Sequence, residues 1–265
     1  MDTSYLDKNR ELWNARVKSH LDSGFYDLRS FREGKSSLNT PELRLLGNVR
    51  GKSILHLQCH FGQDSLSLAR MGATVTGVDL SDEAVTSAER LATELNLPAR
   101  FICCNVYDTR KVLNEQFDLV FSSYGTIGWL PDLKPWAAVV ASSLKPGGRF
   151  VFAEFHPVIW MLDNDLEFFQ YSYFKSDPII EIEQGTYADR SADISLESVS
   201  WNHGLAEVIG ALQQEDLVLR HFEELNFSPY NIFPGMTETA PGQWQIEKLK
   251  GVLPLMYTLE MQAPA

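Results

Sequence analysis

Short apolar runs and amphipathic stretches alternate through the middle of this chain. Residues 53–58 (SILHLQ) predict a strand, and residues 64–71, with Leu66, Leu68 and Ala69 on one side, a helix. Residues 74–79 predict a second strand. Ser81 caps the next helix, whose first turn carries Asp82 and Glu83, the charges a helix N-terminus favours, and which stops near Asn96-Leu97-Pro98. Third and fourth strands are predicted at 100–104 and 117–122. A helix over 133–144 is closed by Lys145-Pro146-Gly147-Gly148, and a fifth strand follows at 149–155. Strands and helices at this spacing specify an α/β fold: a mainly parallel sheet with right-handed crossovers and helices on both faces.

Both flanks depart from that rhythm. Ahead of it, residues 4–21 predict a helix with Leu6, Trp13, Val17 and Leu21 as its apolar stripe. Residues 22–39 are polar and predict a loop, and Thr40-Pro41 opens a short helix through Leu46. Beyond the fifth strand, β-leaning pieces at 168–174, 179–183 and 194–201 lack intervening helices and predict a small antiparallel insertion. Alternation resumes with a helix at 203–214 and strands at 217–225 and 252–260, seven strands in the main sheet in all. The Pro- and Gly-containing stretch 228–243 is too long for a hairpin and is a candidate lid. The expected organisation is a helical cap over 1–48, a core domain over 49–156 and 203–265, and a substrate-covering, β-rich insertion over 157–202.

Composition narrows the class of partner. A net charge of −12 over 265 residues provides no basic footprint for nucleic acid or an anionic membrane, so a small-molecule substrate is expected. It says nothing of oligomeric state. Residues 1–7 carry no basic region followed by an apolar stretch, and no uncharged run reaches the length of a membrane span. Of the three cysteines, Cys103 and Cys104 are adjacent and poorly placed to pair, which points to a reducing, cytoplasmic setting. Cys59 with His60 does not form a zinc pattern, and no metal is expected.

In an open parallel sheet, ligands sit outside the carboxyl ends of the strands where strand order reverses. The first strand runs into Gln58-Cys59-His60-Phe61-Gly62, and the second ends in Asp79, about 20 residues beyond that turn, where an acid can grip both ribose hydroxyls. A dinucleotide's pyrophosphate needs glycines so that backbone N–H groups can approach it. Here Gln58 and His60 occupy two of those positions and only Gly62 remains, so a ligand with ribose and no phosphate fits better. S-adenosyl-L-methionine is such a ligand.

Ile54 to Gly62 (ILHLQCHFG) resembles the first motif of class I S-adenosylmethionine-dependent methyltransferases, closest to a bacterial subgroup with an HLQCHFG variant. Val78-Asp79-Leu80-Ser81 is similar to that family's ribose-binding strand end, and Asn105-Val106-Tyr107-Asp108 to its adenine-side motif. Residues 117–122 resemble its fourth strand and 144–150 the turn before its fifth. The resemblance implies a Rossmann-like fold and S-adenosylmethionine as cofactor. It implies that Asp79 binds the ribose, that Leu80 and Val106 flank the adenine with Asn105 near its amine, and that backbone at Gln58 and Ser122 meets the methionine amino group. Cys59, His60 and Gly62 complete the loop. His56, Gln58 and His60 depart from the usual acid and glycines of this motif.

Methyl transfer from a sulfonium has an activated leaving group, so the protein's chief task is to align the acceptor, and a base is needed only if the acceptor must lose a proton. His156, just past the fifth strand, and Tyr124, just past the fourth, are the candidates for that base. Each is equally well explained as a hydrogen-bonded residue of the sheet edge. His56, inside an apolar strand, fits a core histidine better than a ligand contact. Two other functions stay open: a non-catalytic protein that binds or senses S-adenosylmethionine, and a nucleotide-dependent oxidoreductase, against which the missing loop glycines count.

Overall fold

A computed structural model describes residues 4–265; Met1–Thr3, the first residues of the expected cap, lie outside the described residues. In chain order the elements are α1 (Ser4–Asp22), α2 (Leu28–Arg32), α3 (Thr40–Leu46), β1 (Ser53–Leu57), α4 (Gln63–Arg70), β2 (Thr74–Asp79), α5 (Asp82–Glu94), β3 (Ala99–Cys103), α6 (Thr109–Val112), β4 (Phe117–Ser123), α7 (Leu133–Ser143) and β5 (Leu144–Phe155). The second half adds β6 (Ile179–Gln184), β7 (Ser195–Ser200), α8 (Leu205–Gln213), β8 (Val218–Leu225), β9 (Met236–Ala240), β10 (Gln243–Ile246) and β11 (Met256–Gln262).

The seven-stranded sheet has the order β3-β2-β1-β4-β5-β11-β8. All neighbouring pairs are parallel except those made by β11, which runs antiparallel to both β5 and β8. Strand order reverses between β1 and β4, which places the ligand crevice above their carboxyl ends. The pleat sorts side chains into two cores. Leu55, Leu57, Val120, Phe150 and Phe152 meet Trp136 and Val140 of α7 and Val208 and Leu212 of α8. Ile54, Val75, Phe121 and Val151 face the other way, onto Leu46 of α3 and Leu68 of α4.

Two stretches differ from expectation. The 22–39 loop contains α2, whose N-cap Asp27 accepts the Ser30 N–H at 3.2 Å and whose Leu28 and Phe31 are buried under α4 and α5. Polar composition conceals this turn because only two apolar side chains anchor it. The 228–243 stretch holds β9 and runs into β10, an antiparallel hairpin, with Ser228 bridged to Trp244. In the insertion, β6 and β7 pair over their whole lengths, whereas 168–174 forms no strand and contributes one bridge, Phe169 to Leu162.

Glycine is needed in β2 where the loop after β1 closes on it. A Cβ at Gly77 would stand 2.5 Å from the Phe101 ring and 2.7 Å from Cys59 Sγ. Gly77→Ala is therefore expected to destabilise the protein by about 1–3 kcal/mol, measured by urea unfolding. An unchanged midpoint would show that β3 and the loop yield without strain.

Candidate functional site

The crevice is a cavity of about 890 Å³ bounded by the strand ends, α1, the insertion and the 228–243 stretch. Gln58, Cys59, His60, Gly62, Asp79, Leu80, Asn105, Val106 and Tyr124 all line it. Local backbone explains how the loop is built. Gln58 and His60 both adopt left-handed conformations, φ 55° and 50°, and Gly62 follows at 77°. Two non-glycine residues in that region cost roughly 1–3 kcal/mol each and persist only where contacts over-determine them.

Asp79 supplies the chief contact. Its Oδ2 accepts the His60 N–H at 2.7 Å and its Oδ1 the Ser81 N–H at 2.9 Å, so the carboxylate joins the β1 loop to the start of α5. Burial raises its pKa and these amides oppose the shift. The carboxylate retains lone pairs beyond those two bonds, suited to hydroxyl donors. Nearby, the Cys59 N–H donates to Val78 O at 3.0 Å and the Gly62 N–H to Cys59 O at 2.9 Å. With His60 bonded to Asp79, these three loop amides all have acceptors inside the protein.

Asn105 caps the short 3-10 turn Val106–Asp108, its Oδ1 accepting the Tyr107 N–H at 3.1 Å. Gln58 Nε2 donates to Thr126 O at 2.7 Å while its Oε1 is buried without a partner. Ser122 is fully buried, its hydroxyl donating to Thr126 Oγ1 at 3.2 Å, and it is Ser123 that reaches the cavity wall. His56 is 2% exposed, its Nδ1 2.8 Å from Ser65 Oγ, and burial pushes its pKa down to about 3: a neutral histidine of the cavity floor.

His156 is the candidate base that the structure does not bring to the cavity. Its Nδ1 accepts the Val158 N–H at 3.2 Å, which leaves the proton on Nε2, 2.9 Å from Glu224 Oε1. Both nitrogens are thus engaged, at the β8 side of the sheet, and no lone pair is free for a substrate proton. Burial lowers its pKa against the opposing pull of Glu224. Tyr124 does line the cavity, at φ 55°, and its hydroxyl donates to Glu42.

Several groups were not singled out by sequence. Glu154, in the apolar run FVFAEF, accepts the amides of Gly125, Thr126 (2.7 Å), Ile127 (3.3 Å) and its neighbour Phe155, shaping the turn after β4. An acid in an apolar strand was the available signal. Glu42 and Asp64 come from α3 and α4 to sit near Tyr124 and Tyr230, and no local pattern unites them. Arg16 and Trp129 close the cavity from above, the guanidinium 5.9 Å from the Trp129 ring centre. Among the described residues no group of three or more His, Cys, Asp or Glu could hold a metal, and no helix is long and apolar enough to cross a membrane.

This sheet order, with a strand-end acid facing a crossover loop, defines a Rossmann-like methyltransferase fold. Residues 54–148 match the family model of a methyltransferase domain. The chain is 30% identical over 111 residues to a ubiquinone biosynthesis O-methyltransferase of Photorhabdus laumondii, an alignment covering 42% of this chain and 46% of that protein. The chain thus spans about half the length of that relative. It is 28% identical over 183 residues to an uncharacterized methyltransferase of Synechocystis, covering 67% and 84% of the two chains. An S-adenosylmethionine-dependent methyltransferase of Clostridium acetobutylicum superposes with a TM-score of 0.58 at 16% identity, over 98% of this chain and 99% of that one.

Burial, then the neighbouring Asp64 charge, pushes Glu42 up to about 7 from its ordinary 4.5. A raised carboxyl pKa stabilises the fold fully below the unfolded value and loses that contribution as pH rises through the folded one. Wild type should therefore lose roughly 3 kcal/mol between about pH 4.5 and 8 from this group, a loss absent in Glu42→Gln. Parallel Tm-against-pH curves for the two proteins would show that Glu42 titrates normally.

Proposed function

We propose that this protein binds S-adenosylmethionine in the crevice above β1 and β4 and transfers its methyl group to a small molecule. The observation that carries the reading is the state of the β1 loop. Its Cys59, His60 and Gly62 amides are bonded internally, so they are not offered to a pyrophosphate, while Asp79 keeps carboxylate lone pairs toward the cavity. A ribose without a phosphate suits such a wall. Leu80 and Val106 supply apolar flanks for a base, and Gln58 and His60 line the same wall, with Gln58 Oε1 and His60 Nδ1 buried without a partner.

S-adenosylmethionine supplies a methyl group on a sulfonium, already activated for displacement. The protein's own contribution is to hold an acceptor in line and exclude water. Tyr124, Phe155, Ile159, Trp160 and Phe233 form an aromatic and apolar part of the cavity suited to an organic acceptor. Where that acceptor must lose a proton, Tyr124 at the wall, hydrogen-bonded to the buried Glu42 behind it, can receive it. The matched ubiquinone biosynthesis enzyme is an O-methyltransferase, which makes a hydroxyl acceptor the first class to screen.

Three segments cover the site. Asn9 of α1 exchanges two hydrogen bonds with the Val199 backbone of β7, at 2.8 and 3.0 Å, and Arg16 lies 3.3 Å from Glu183 of β6. Tyr230 of the 228–243 stretch accepts from Asn39 Nδ2 at 2.7 Å. We assign these as a common cover that closes on the bound cofactor. S-adenosylhomocysteine should slow proteolytic nicking of 157–202 and 228–243; equal cleavage with and without it rules the cover out as a closing element.

Asp79→Ala should weaken S-adenosylhomocysteine binding at least about tenfold by calorimetry, the scale of losing hydrogen bonds to a charged acceptor. Unchanged affinity would remove Asp79 as the ribose anchor. NAD binding more tightly than S-adenosylmethionine to wild type would overturn the cofactor reading.

A further inference from the structure

One wall of the cavity carries a carboxylate that no cation meets. Asp64, in the first turn of α4, is partly open to the cavity, and its Oδ2 accepts the Ser123 hydroxyl at 3.3 Å. Among the described residues it joins no ion pair. Three cationic side chains line the same cavity. Arg16, 4% exposed, is held by Glu183 at 3.3 Å and Lys35 by Asp27 at 3.5 Å, while Arg190 stands exposed on the turn between β6 and β7. Glu42 lies behind this wall, and burial first, then the Asp64 charge, raises its pKa to about 7. A cation on the cavity side would relieve both carboxylates.

Aromatic rings flank the same carboxylate. Burial above all, with the Asp64 charge among the further causes, raises the pKa of Tyr26, Tyr124 and Tyr230, so these hydroxyls stand within its field. All three tyrosines line the cavity and are only half-buried. Their rings belong to one continuous wall. Phe25 lies 5.0 Å from Tyr26 and 5.4 Å from Tyr230, Tyr230 meets Tyr124 edge-on at 5.1 Å, and Tyr124 leads to Phe155 at 5.8 Å. The Tyr124 hydroxyl donates its proton to Glu42, which leaves its oxygen with lone pairs for an N–H donor. Ring faces beside a carboxylate and a hydroxyl oxygen are surroundings that suit an ammonium, because the ring quadrupoles attract a cation and the oxygens accept its N–H bonds.

We propose that the methyl acceptor is an organic cation whose ammonium group docks on Asp64 against the rings of Tyr26, Tyr124 and Tyr230. The inference rests on the methyltransferase reading above and concerns how the acceptor is held, not which of its atoms is methylated. A neutral acceptor would leave the Asp64 carboxylate desolvated without a counter-charge, and an anionic one would add a like charge beside Asp64 and Glu42. Position favours the acceptor over the cofactor as the source of the cation. Asp64 bonds to Ser123 at the end of β4, on the wall that runs through Tyr124 to Phe155, Trp160 and Phe233. The ribose anchor Asp79 ends β2, on the far side of β1. An ammonium at Asp64 therefore lays the rest of an organic molecule along the apolar wall.

The test is calorimetry on the full chain, first with S-adenosylhomocysteine and then, with that ligand saturating, with tyramine, tyrosol and 4-hydroxyphenylacetate. These probes share a hydroxyphenyl ring and end in an ammonium, a hydroxyl and a carboxylate. Wild type should bind tyramine about tenfold or more tightly than tyrosol, and 4-hydroxyphenylacetate more weakly still, the scale of a desolvated cation against aromatic faces. Asp64→Asn, which keeps the shape of the side chain, should cut the tyramine preference to about twofold or less, and Tyr230→Leu to about threefold or less. Urea unfolding with the wild-type slope shows that each variant is folded. Tyrosol binding the wild-type complex as tightly as tyramine overturns the assignment, and is the result expected if the cofactor's own ammonium fills the site. A tyramine preference unchanged in both variants, or no binding by any of the three probes, overturns it as well, with the cofactor reading intact. Failure of S-adenosylhomocysteine to bind overturns both.

Discussion

The bond from the His60 amide to the Asp79 carboxylate joins two strands' ends into one site. Without an acceptor there, the β1 loop has little reason to hold Gln58 and His60 in the left-handed region, where neither side chain is at ease. With it, the loop folds against β2 so closely that position 77 must lack a side chain. The arrangement consumes amides that a phosphate-binding loop would leave free, and in exchange it aims two side chains into the cavity. Ligand class is thus written into the backbone hydrogen bonding of the loop as much as into its residue types.

A second constraint acts across the crevice. Glu154 draws in the amides of residues 125–127, and Tyr124, immediately before them, is held at positive φ with its ring against Tyr230 at 5.1 Å. The turn after β4 therefore owes its shape to a buried carboxylate on β5. Burial raises the pKa of Glu154 and its amide donors oppose that rise. It is a structural acid, and the acidic pair Glu42 and Asp64 is held in the same manner. Among the described residues neither takes part in an ion pair, and each is held by hydroxyl or amide donors.

The parallel core was legible because short runs such as 53–58 and 74–79, buried on both faces, are bounded by turns and caps. The grouping of Gln58 to Gly62, Asp79 and Asn105 to Val106 around one cavity was legible for the same reason: they are strand-end residues, and topology alone brings strand ends together. What failed depended on contacts between distant segments. α2 is anchored by Leu28 and Phe31 against helices over 30 residues away, and β10 closes a hairpin at the end of the stretch expected to be too long for one. His156 sits at the expected strand end, but an antiparallel neighbour, β11, and Glu224 of β8 claim the region around it, and β8 and β11 begin only at residues 218 and 256. Arg16, His20 and Glu42 lie in helices whose amphipathic pattern gives no sign that a polar residue faces inward.

Arg16 joins α1 to the insertion beside the cavity through one charge. A guanidinium with so little exposure requires compensation, because an unpaired buried cation is strongly unfavourable. Glu183 provides it from the insertion, and the faces of Trp13 and Trp129 provide more. Glu183 remains about one-third exposed, so water weakens its hold on Arg16. The pair spans α1 and β6, so the charge that α1 buries beside the cavity is balanced from the insertion, and displacing either element would leave that cation without its carboxylate.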